Sequence, residues 1–482
     1  MVLTHPSDHN LGAQASETRE TVSTIHETTP HPSFVDNLSE DILSYIFRLV
    51  VAETSPEDIP LGRECYFFVD KAENDGEIPP LLPRAQLRFP EEVILVNRRW
   101  RNVGLGTALM WTRIIYDLKH PPERVARWLE RSRQAPLSVH WAGHAVNLPL
   151  LLPHMHRIEC LDLRIWPDDG DEIARRLLQP LASMSTLNGL SVSSVSNYRG
   201  VYLNLGFINV ANAFNSLRHF MAYPCVTLPW SWPIRNLLSL ELDGVDTSIE
   251  WPHIRDVLSA SPNLQQLTLI NLDIRNCPPP DDDNLMATLP VFYHFETIWI
   301  SDLRYSCDHL RPRPSILQAI RAPAITNLVI NQERNIRAAL IALALGGSAS
   351  LESLSIGLTG EPMLEDLITA LTDSLTTRLD TLMISYRPSP AFHPYYHTIS
   401  VSSMLALGKC TSLQSLKLSG VTFPHEALVA MVKERKRNTG SGLDELYTSS
   451  RIADVKEDLE RLGVFVVDEV PYTAQEWDIG TW

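Results

Sequence analysis

The apolar positions of this chain follow a helical period near its start and a strand-based repeat through most of the rest. Leu38, Ile42, Ile46 and Leu49 share one side of a helix, and Leu43, Phe47 and Val50 broaden that face. Asn37 with Glu40 is a candidate reciprocal cap, and Ser39 is the competing one. From Ala52 to about Arg88 the pattern breaks into an insertion loop whose one apolar run is "CYFFV". It returns at Pro90: Val93, Val96, Trp100 and Val103 line one face, and Gly104 and Gly106 stop it. Thr107 then caps a short third turn holding Leu109, Met110 and Trp111. Three such short helices bury too little to stand alone, so they are predicted to lean on a partner or on the rest of the chain. Next, Val125, Trp128 and Leu129 give a short helix face, and Leu137, Val139 and Trp141 alternate as a strand.

Beyond Arg157 one pattern recurs: apolar, two residues, apolar, one residue, apolar. It runs from "IECLDL" at 158 through "LLSLEL" at 237, "LQQLTL" at 264 and "FETIWI" at 295 to "LDELYT" at 443, eleven times, at steps of 20 to 34 residues. That period is the one expected of leucine-rich repeats. The last three positions alternate in and out as a strand, and amphipathic stretches such as "WPHIRDVLSA", "PMLEDLITALTDSL" and "EALVAMVKER" supply helices on the convex side. The predicted fold class is α/β: a small all-helical module followed by a solenoid of parallel strands and convex helices. Leu161, Leu163, Leu240, Leu242, Leu267, Leu269, Leu354, Ile356, Leu416 and Leu418 are the predicted core. The Asn or Cys that usually ties each repeat's turn is replaced by Trp166, Val245, Leu272, Leu303 and Val421, so the turns are expected to close by apolar packing. The weak "LRHFMA" unit predicts a local defect near 217 to 237, and "VKEDLERLGVFVVDEV" a closing helix and edge strand. The alternate strand positions are expected to be exposed on the concave side: Asp162 and Arg164, Glu241 and Asp243, Thr268 and Ile270, Trp299 and Ser301, Val329 and Asn331, Lys417 and Ser419. Ile270, Trp299 and Val329 form the candidate substrate patch, because adjacent strands present apolar groups there. The alternative is a phase shift of one residue near 295, which makes Trp299 core.

"LSEDILSYIF", followed after the insertion by "VNRRWRNVGLGTALMW", resembles the F-box of the large families found in mushroom-forming fungi. Leu38, Asp41, Ile42, Leu43, Ile46 and Phe47 match its first segment, Val96, Arg98, Trp100 and Arg101 its second, and Met110 and Trp111 its closing turn. Ser39 stands where the family has Pro, and Asn97 where it has Cys. "HPPERVARWLERSRQAPLSVHW" resembles the linker that follows in those proteins. The resemblance implies that the helices bind a Skp-type adaptor and, through it, a cullin-RING ubiquitin ligase, while the repeats capture a protein substrate. Leu38, Ile42, Ile46, Val96, Leu109 and Met110 are the candidate adaptor contacts. The alternative is a non-catalytic leucine-rich-repeat scaffold whose F-box is degenerate or serves a non-ligase complex.

Composition narrows the remaining classes. A formal charge of -16, from 41 basic and 57 acidic residues, argues against a general nucleic-acid binder. Six scattered cysteines with no CxxC pair suit a reducing compartment, and the start of the chain lacks a signal-peptide pattern. No apolar run is long enough to span a bilayer, so a cytoplasmic or nuclear protein without membrane association is expected. His154 and His156 lack further ligands nearby, and the carboxylates of "PPPDDDN" at 278 to 284 lack calcium-loop spacing. No catalytic, cofactor or metal constellation is found, and no enzyme is predicted. The expected organisation is a flexible tail over 1–33, the F-box-like domain over 34–115 with its insertion at 52–88, a linker over 116–149, the repeats over 150–467 and a tail over 468–482.

Overall fold

The computed structural model describes residues 38–53, 91–117, 121–182, 184–194, 203–204, 214–223, 226–227, 234–244, 249–275, 291–301, 303–306, 316–331, 350–358, 368, 378–386, 397–440, 442–449 and 452–467. Both tails, the insertion from residue 54 on, Asn37, Val245, "PPPDDDN" and all of "PMLEDLITALTDSL" except Ile368 lie outside them.

Fourteen parallel strands form one sheet whose spatial order is the chain order. They are β1 (Arg113–Asp117), β2 (Leu137–Ala142), β3 (Ile158–Ile165), β4 (Gly189–Ser194), β5 (His219–Ala222), β6 (Ser239–Asp243) and β7 (Gln266–Ile270). The array continues with β8 (Thr297–Ser301), β9 (Asn327–Asn331), β10 (Ser353–Leu358), β11 (Thr381–Tyr386), β12 (Ser415–Ser419), β13 (Glu445–Thr448) and β14 (Phe465–Val467). Parallel neighbours in chain order require a crossover after every strand, which stacks the repeats into a solenoid. The fold is a leucine-rich-repeat-like α/β solenoid.

All eleven recurring hexamers end on strands of this sheet. One buried residue per strand continues in register from Ile114 through Val139, Leu161, Leu190, Phe220, Leu240, Leu267, Ile298, Leu328, Leu354, Leu382, Leu416 and Leu446 to Val466. A second row passes through Leu163, Leu242, Leu269, Ile300, Ile356 and Leu418. Every predicted core leucine and isoleucine is therefore inside. The expected defect near 217 to 237 does not break the ladder, because β5 is short but pairs in register with both β4 and β6.

The turns close as their composition requires. Leu272, Leu303 and Val421 are buried where a polar tie was missing, and Asp273–Arg275 pairs with both Ile249–Glu250 and Arg304–Ser306 in a small second ladder. The residue just past three strands is left-handed: Gly244 (φ 56), Asn271 (φ 52) and Gly420 (φ 66). Glycine and asparagine are the residues that adopt this conformation at least cost. A Cβ on Gly420 would stand 2.4 Å from the Tyr386 carbonyl oxygen, so side-chain bulk is excluded there as well.

The N-terminal helices are not a separate module. α1 (Glu40–Glu53) is capped by Ser39, whose hydroxyl accepts from the Ile42 amide at 3.2 Å. The expected helix from Pro90 breaks at residues 94–97, and α2 (Arg98–Gly106) restarts with Asn97 as its cap, accepting from the Trp100 amide at 2.8 Å. Ser39 and Asn97, the two residues that depart from the F-box pattern, thus both cap helices. Phe47 and Trp100 meet edge to face at 5.3 Å. The Trp111 indole donates to the Gly104 carbonyl at 2.9 Å, and the Arg131 guanidinium lies 4.4 Å over its ring. Thr107 does not cap the next turn with its side chain; its hydroxyl donates back to the Val103 carbonyl. Arg131 belongs to α3 (Pro122–Arg131), whose Val125, Trp128 and Leu129 are buried, and Arg124 on the same helix pairs with Glu91 at 2.6 Å. Leu43, Phe47, Met110, Trp111, Trp128 and the leucines of the repeats belong to one continuous core. β1 straddles the boundary drawn between the helical domain and the linker, and the linker contains α3 and β2, so the sheet starts at Arg113.

Two buried arginines tie crossovers to the array. Arg157 donates to the Leu129 and Ala135 carbonyls and the Ser132 hydroxyl, at 2.8 to 3.0 Å, placing its charge at the carbonyl end of α3. Arg435, on the helix His425–Thr439, donates to the Cys410, Thr411 and Leu413 carbonyls just before β12.

Candidate protein-interaction surfaces

Alternation along each strand leaves one central row facing away from the buried rows. It contains Ile115, His140, Asp162, Ser191, Met221, Glu241, Thr268, Trp299, Val329, Ser355, Met383, Lys417 and Tyr447, in continuous register. Trp299 pairs in register with Thr268 and Val329, while Ile298 and Ile300 on either side of it are fully buried. The phase is as the alternation predicts, and Trp299 is not core.

The degree of exposure differs from expectation. Asp162, Glu241, Thr268, Ser301, Lys417 and Ser419 are all buried, and Val329 keeps only 7% of its surface. Parallel strands stand only about 4.8 Å apart, so neighbours in one row cover each other's flanks. Trp299, Ile270, Arg164, Asp243 and Asn331 remain partly open. Ile270 faces Ser301 and is therefore diagonal to Trp299, so the predicted patch is brought together, with Val329 as its floor.

At the start of the row three residues repeat the composition of a nucleophilic triad without its order. His140 Nδ1 lies 3.2 Å from Asp162 Oδ2, and Ser191 flanks Asp162 on the other side. The carboxylate stands between serine and histidine, so the row does not present a histidine base to the serine hydroxyl. Burial pushes the Asp162 carboxyl up, but the His140 hydrogen bond and charge, Arg164 and Ser191 together bring it below its ordinary value. Near the other end, Lys417 Nζ sits 4.8 Å over the Tyr447 ring, its pKa lowered by burial and partly restored by Glu445. Burial also pushes the Cys410 thiol up to about 11, which removes it as a reactive thiolate. Among the described residues no group of three or more His, Cys, Asp or Glu is placed to hold a metal ion, and no helix is long and apolar enough to cross a membrane.

A second surface lies on the helical cap. α1 carries two apolar stripes. Leu43 and Phe47 face the core, while Ile42, Tyr45 and Leu49, spaced i, i+3, i+7, face solvent, with Ile42 47% exposed. Leu38 and Ile46 are partly buried at its border. Val96 (59% exposed) and Leu109 (41%) are also open to solvent, as is Leu95. Met110, expected beside them as a contact, is instead 1% exposed and packs inward. In the tight turn Ala108–Trp111 adjacent residues point in different directions, so Leu109 takes the outward position and Met110 the inward one. Val96, expected to share one helix face with Val93, Trp100 and Val103, is separated from them because the helix is interrupted there. Tyr45 and Leu95 were not singled out in the sequence; the i, i+3, i+7 spacing of Ile42, Tyr45 and Leu49 was the available signal.

No protein-family model matches the chain, and no curated protein matches it. Among solved structures, an internalin from Listeria monocytogenes is similar at 12% identity and a TM-score of 0.28, over 68% of this chain and 89% of that one. So slight a likeness adds nothing to what strand order and register establish.

Proposed function

We propose that this chain is a non-catalytic protein-interaction scaffold that captures a protein partner on the concave face of its repeats, around Trp299. The supporting observation is a large aromatic side chain left partly open on the sheet face away from the core, beside Val329 in register and Ile270 on the diagonal. Partly open aromatics over an apolar floor are frequent anchors of protein interfaces. The test is Trp299→Ser in the full chain, comparing the proteins recovered by affinity purification. Capture is expected to fall while the melting temperature holds. A drop in melting temperature with unselective loss of capture is the contrary result.

The outward stripe of α1 favours a second, finer reading. Together with the F-box resemblance, it supports reading the chain as the substrate-recognition subunit of a Skp-cullin-F-box ubiquitin ligase. In that scheme Leu38, Ile42, Ile46, Val96 and Leu109, joined by Tyr45, contact the Skp-type adaptor, and Met110 supports them from beneath. The chain itself does no chemistry; it raises the effective concentration of a substrate lysine near the ubiquitin-bearing enzyme. Because the cap shares its core with the repeats, the full chain is the right reagent. Ile42→Asp combined with Ile46→Asp should remove most binding to a purified Skp-type adaptor, since a few central residues dominate such interfaces. A folded double variant that binds unchanged would sink this reading.

A further inference from the structure

The concave face has a charge pattern that limits what it can hold. None of the concave positions on β7 to β11, three to a strand, carries a charged side chain. Charge returns abruptly on both sides. β6 presents Glu241 and Asp243 at one end, and β12 presents Lys417 at the other, with Glu445 beyond it on β13. In a chain with 20% charged residues, a five-strand neutral trough bounded by opposite charges is a recognisable pattern. Its centre carries Trp299, Val329 and Met383 along one row, with Ser355 between the last two. Its two margins are neutral hydrogen-bonding groups, such as Gln266 and Asn327 on one side and Asn331 and Ser385 on the other.

Resting on the concave-face reading above, we propose that the captured element is an extended peptide segment of fixed polarity. A Lys or Arg faces Glu241 and Asp243, uncharged residues cross Trp299 and Val329, and a carboxylate faces Lys417. Glu241 and Lys417 each keep only 8% exposure, and a partly desolvated charge penalises an unmatched or like-charged partner more than an open one does. The neutral margins suit a peptide backbone, whose N–H and C=O groups need partners wherever water is displaced. Nucleic acid is disfavoured by the absence of a basic track. Six strand steps at about 4.8 Å separate Glu241 from Lys417, and at about 3.3 Å per residue an extended segment of about nine residues spans that distance. The apolar contact on Trp299 falls roughly one-third of the way from the cationic end.

The probe is a displayed library of random twelve-residue peptides, selected on the full chain and counter-selected on Trp299→Ser. The expected consensus has a basic residue and an acidic residue about eight positions apart, with uncharged residues between. Glu241→Gln, which keeps the size of the acceptor of the Tyr223 hydroxyl, should weaken the best peptide about tenfold and abolish selection for the basic residue. Lys417→Met should do the same for the acidic one. Melting curves of both variants establish that they are folded. Peptides that depend on Trp299 but show no charge preference, or a preference that neither variant changes, overturn the polarity and leave the concave site standing. A selection that enriches nothing over Trp299→Ser overturns the concave site and the polarity together.

Discussion

Leu267→Ala tests how the array is held together. Leu267 is fully buried on β7, with Leu240 and Ile298 beside it in register. Alanine removes three carbon atoms, worth about 2.5 kcal/mol of lost transfer free energy at ~0.8 kcal/mol per carbon. The void adds to this, because strands on both sides are fixed by their own partners and cannot close in. A total of about 4 kcal/mol follows, in the upper half of the ~2–5 range for buried leucines. Leu446→Ala, one strand from the end, should cost about 2–3 kcal/mol, since only β14 has to relax around it. Hydrogen exchange read by mass spectrometry is the assay, because a long array need not unfold in one step. Leu267→Ala should accelerate exchange in β6, β7 and β8 and leave β13 near its original rate. Equal acceleration across all strands, or a larger cost at Leu446, would refute nearest-neighbour stabilisation.

Gly420→Ala should destabilise by several times more than Gly440→Ala. Both glycines are left-handed, an expense of about 1–2 kcal/mol for alanine, but only Gly420 also meets a carbonyl oxygen; paired urea denaturation measures the difference. Arg157→Met should cost about 2–4 kcal/mol, because it leaves the Ala135 carbonyl without its donor and the Leu129 carbonyl with only the Ser132 hydroxyl, and exchange should rise first at the end of α3. Asp162 is held below its ordinary pKa, so the folded state takes up its proton less readily than the unfolded one. Its contribution is therefore complete above the unfolded value and is lost as pH falls through the folded one. Asp162→Asn should flatten the acid limb of a stability–pH curve, and an unchanged limb would contradict that assignment.

Much of this architecture was legible because burial in a solenoid is periodic. The hexamers located eleven strands, since each needs two inward residues two positions apart. β2 was readable as a strand but not as a repeat, and β1 fell unread across the end of the helical domain and the start of the linker, for local reasons. "WTRIIY" at 111 fits the hexamer, yet Trp111 also fits the preceding helix. In β2, Leu137 pairs with Ile158 and Val139 with Leu161, so it spans the same rows with one residue fewer; a register shift between Leu137 and Ser138 absorbs the difference. Gly244, Asn271 and Gly420 recur at one place in their repeats and carried a turn signal that the missing Asn or Cys obscured. Direction was easier to read than exposure. Alternation placed Asp162, Glu241 and Lys417 on the concave side, but their burial depends on neighbouring strands 20 to 34 residues away in sequence. The candidate contacts on the cap divided for a similar reason: a tight turn, not a 3.6-residue helix, decides between Leu109 and Met110.

Site-specific photo-crosslinking tests capture on the concave face around Trp299. A photoreactive phenylalanine replaces Trp299 in one full-length variant and Asp256, exposed on the helix Trp251–Ser259, in another. A discrete crosslinked partner is expected at position 299 and absent at 256. Identical adducts at both positions, or an adduct at 256 alone, would contradict concave capture.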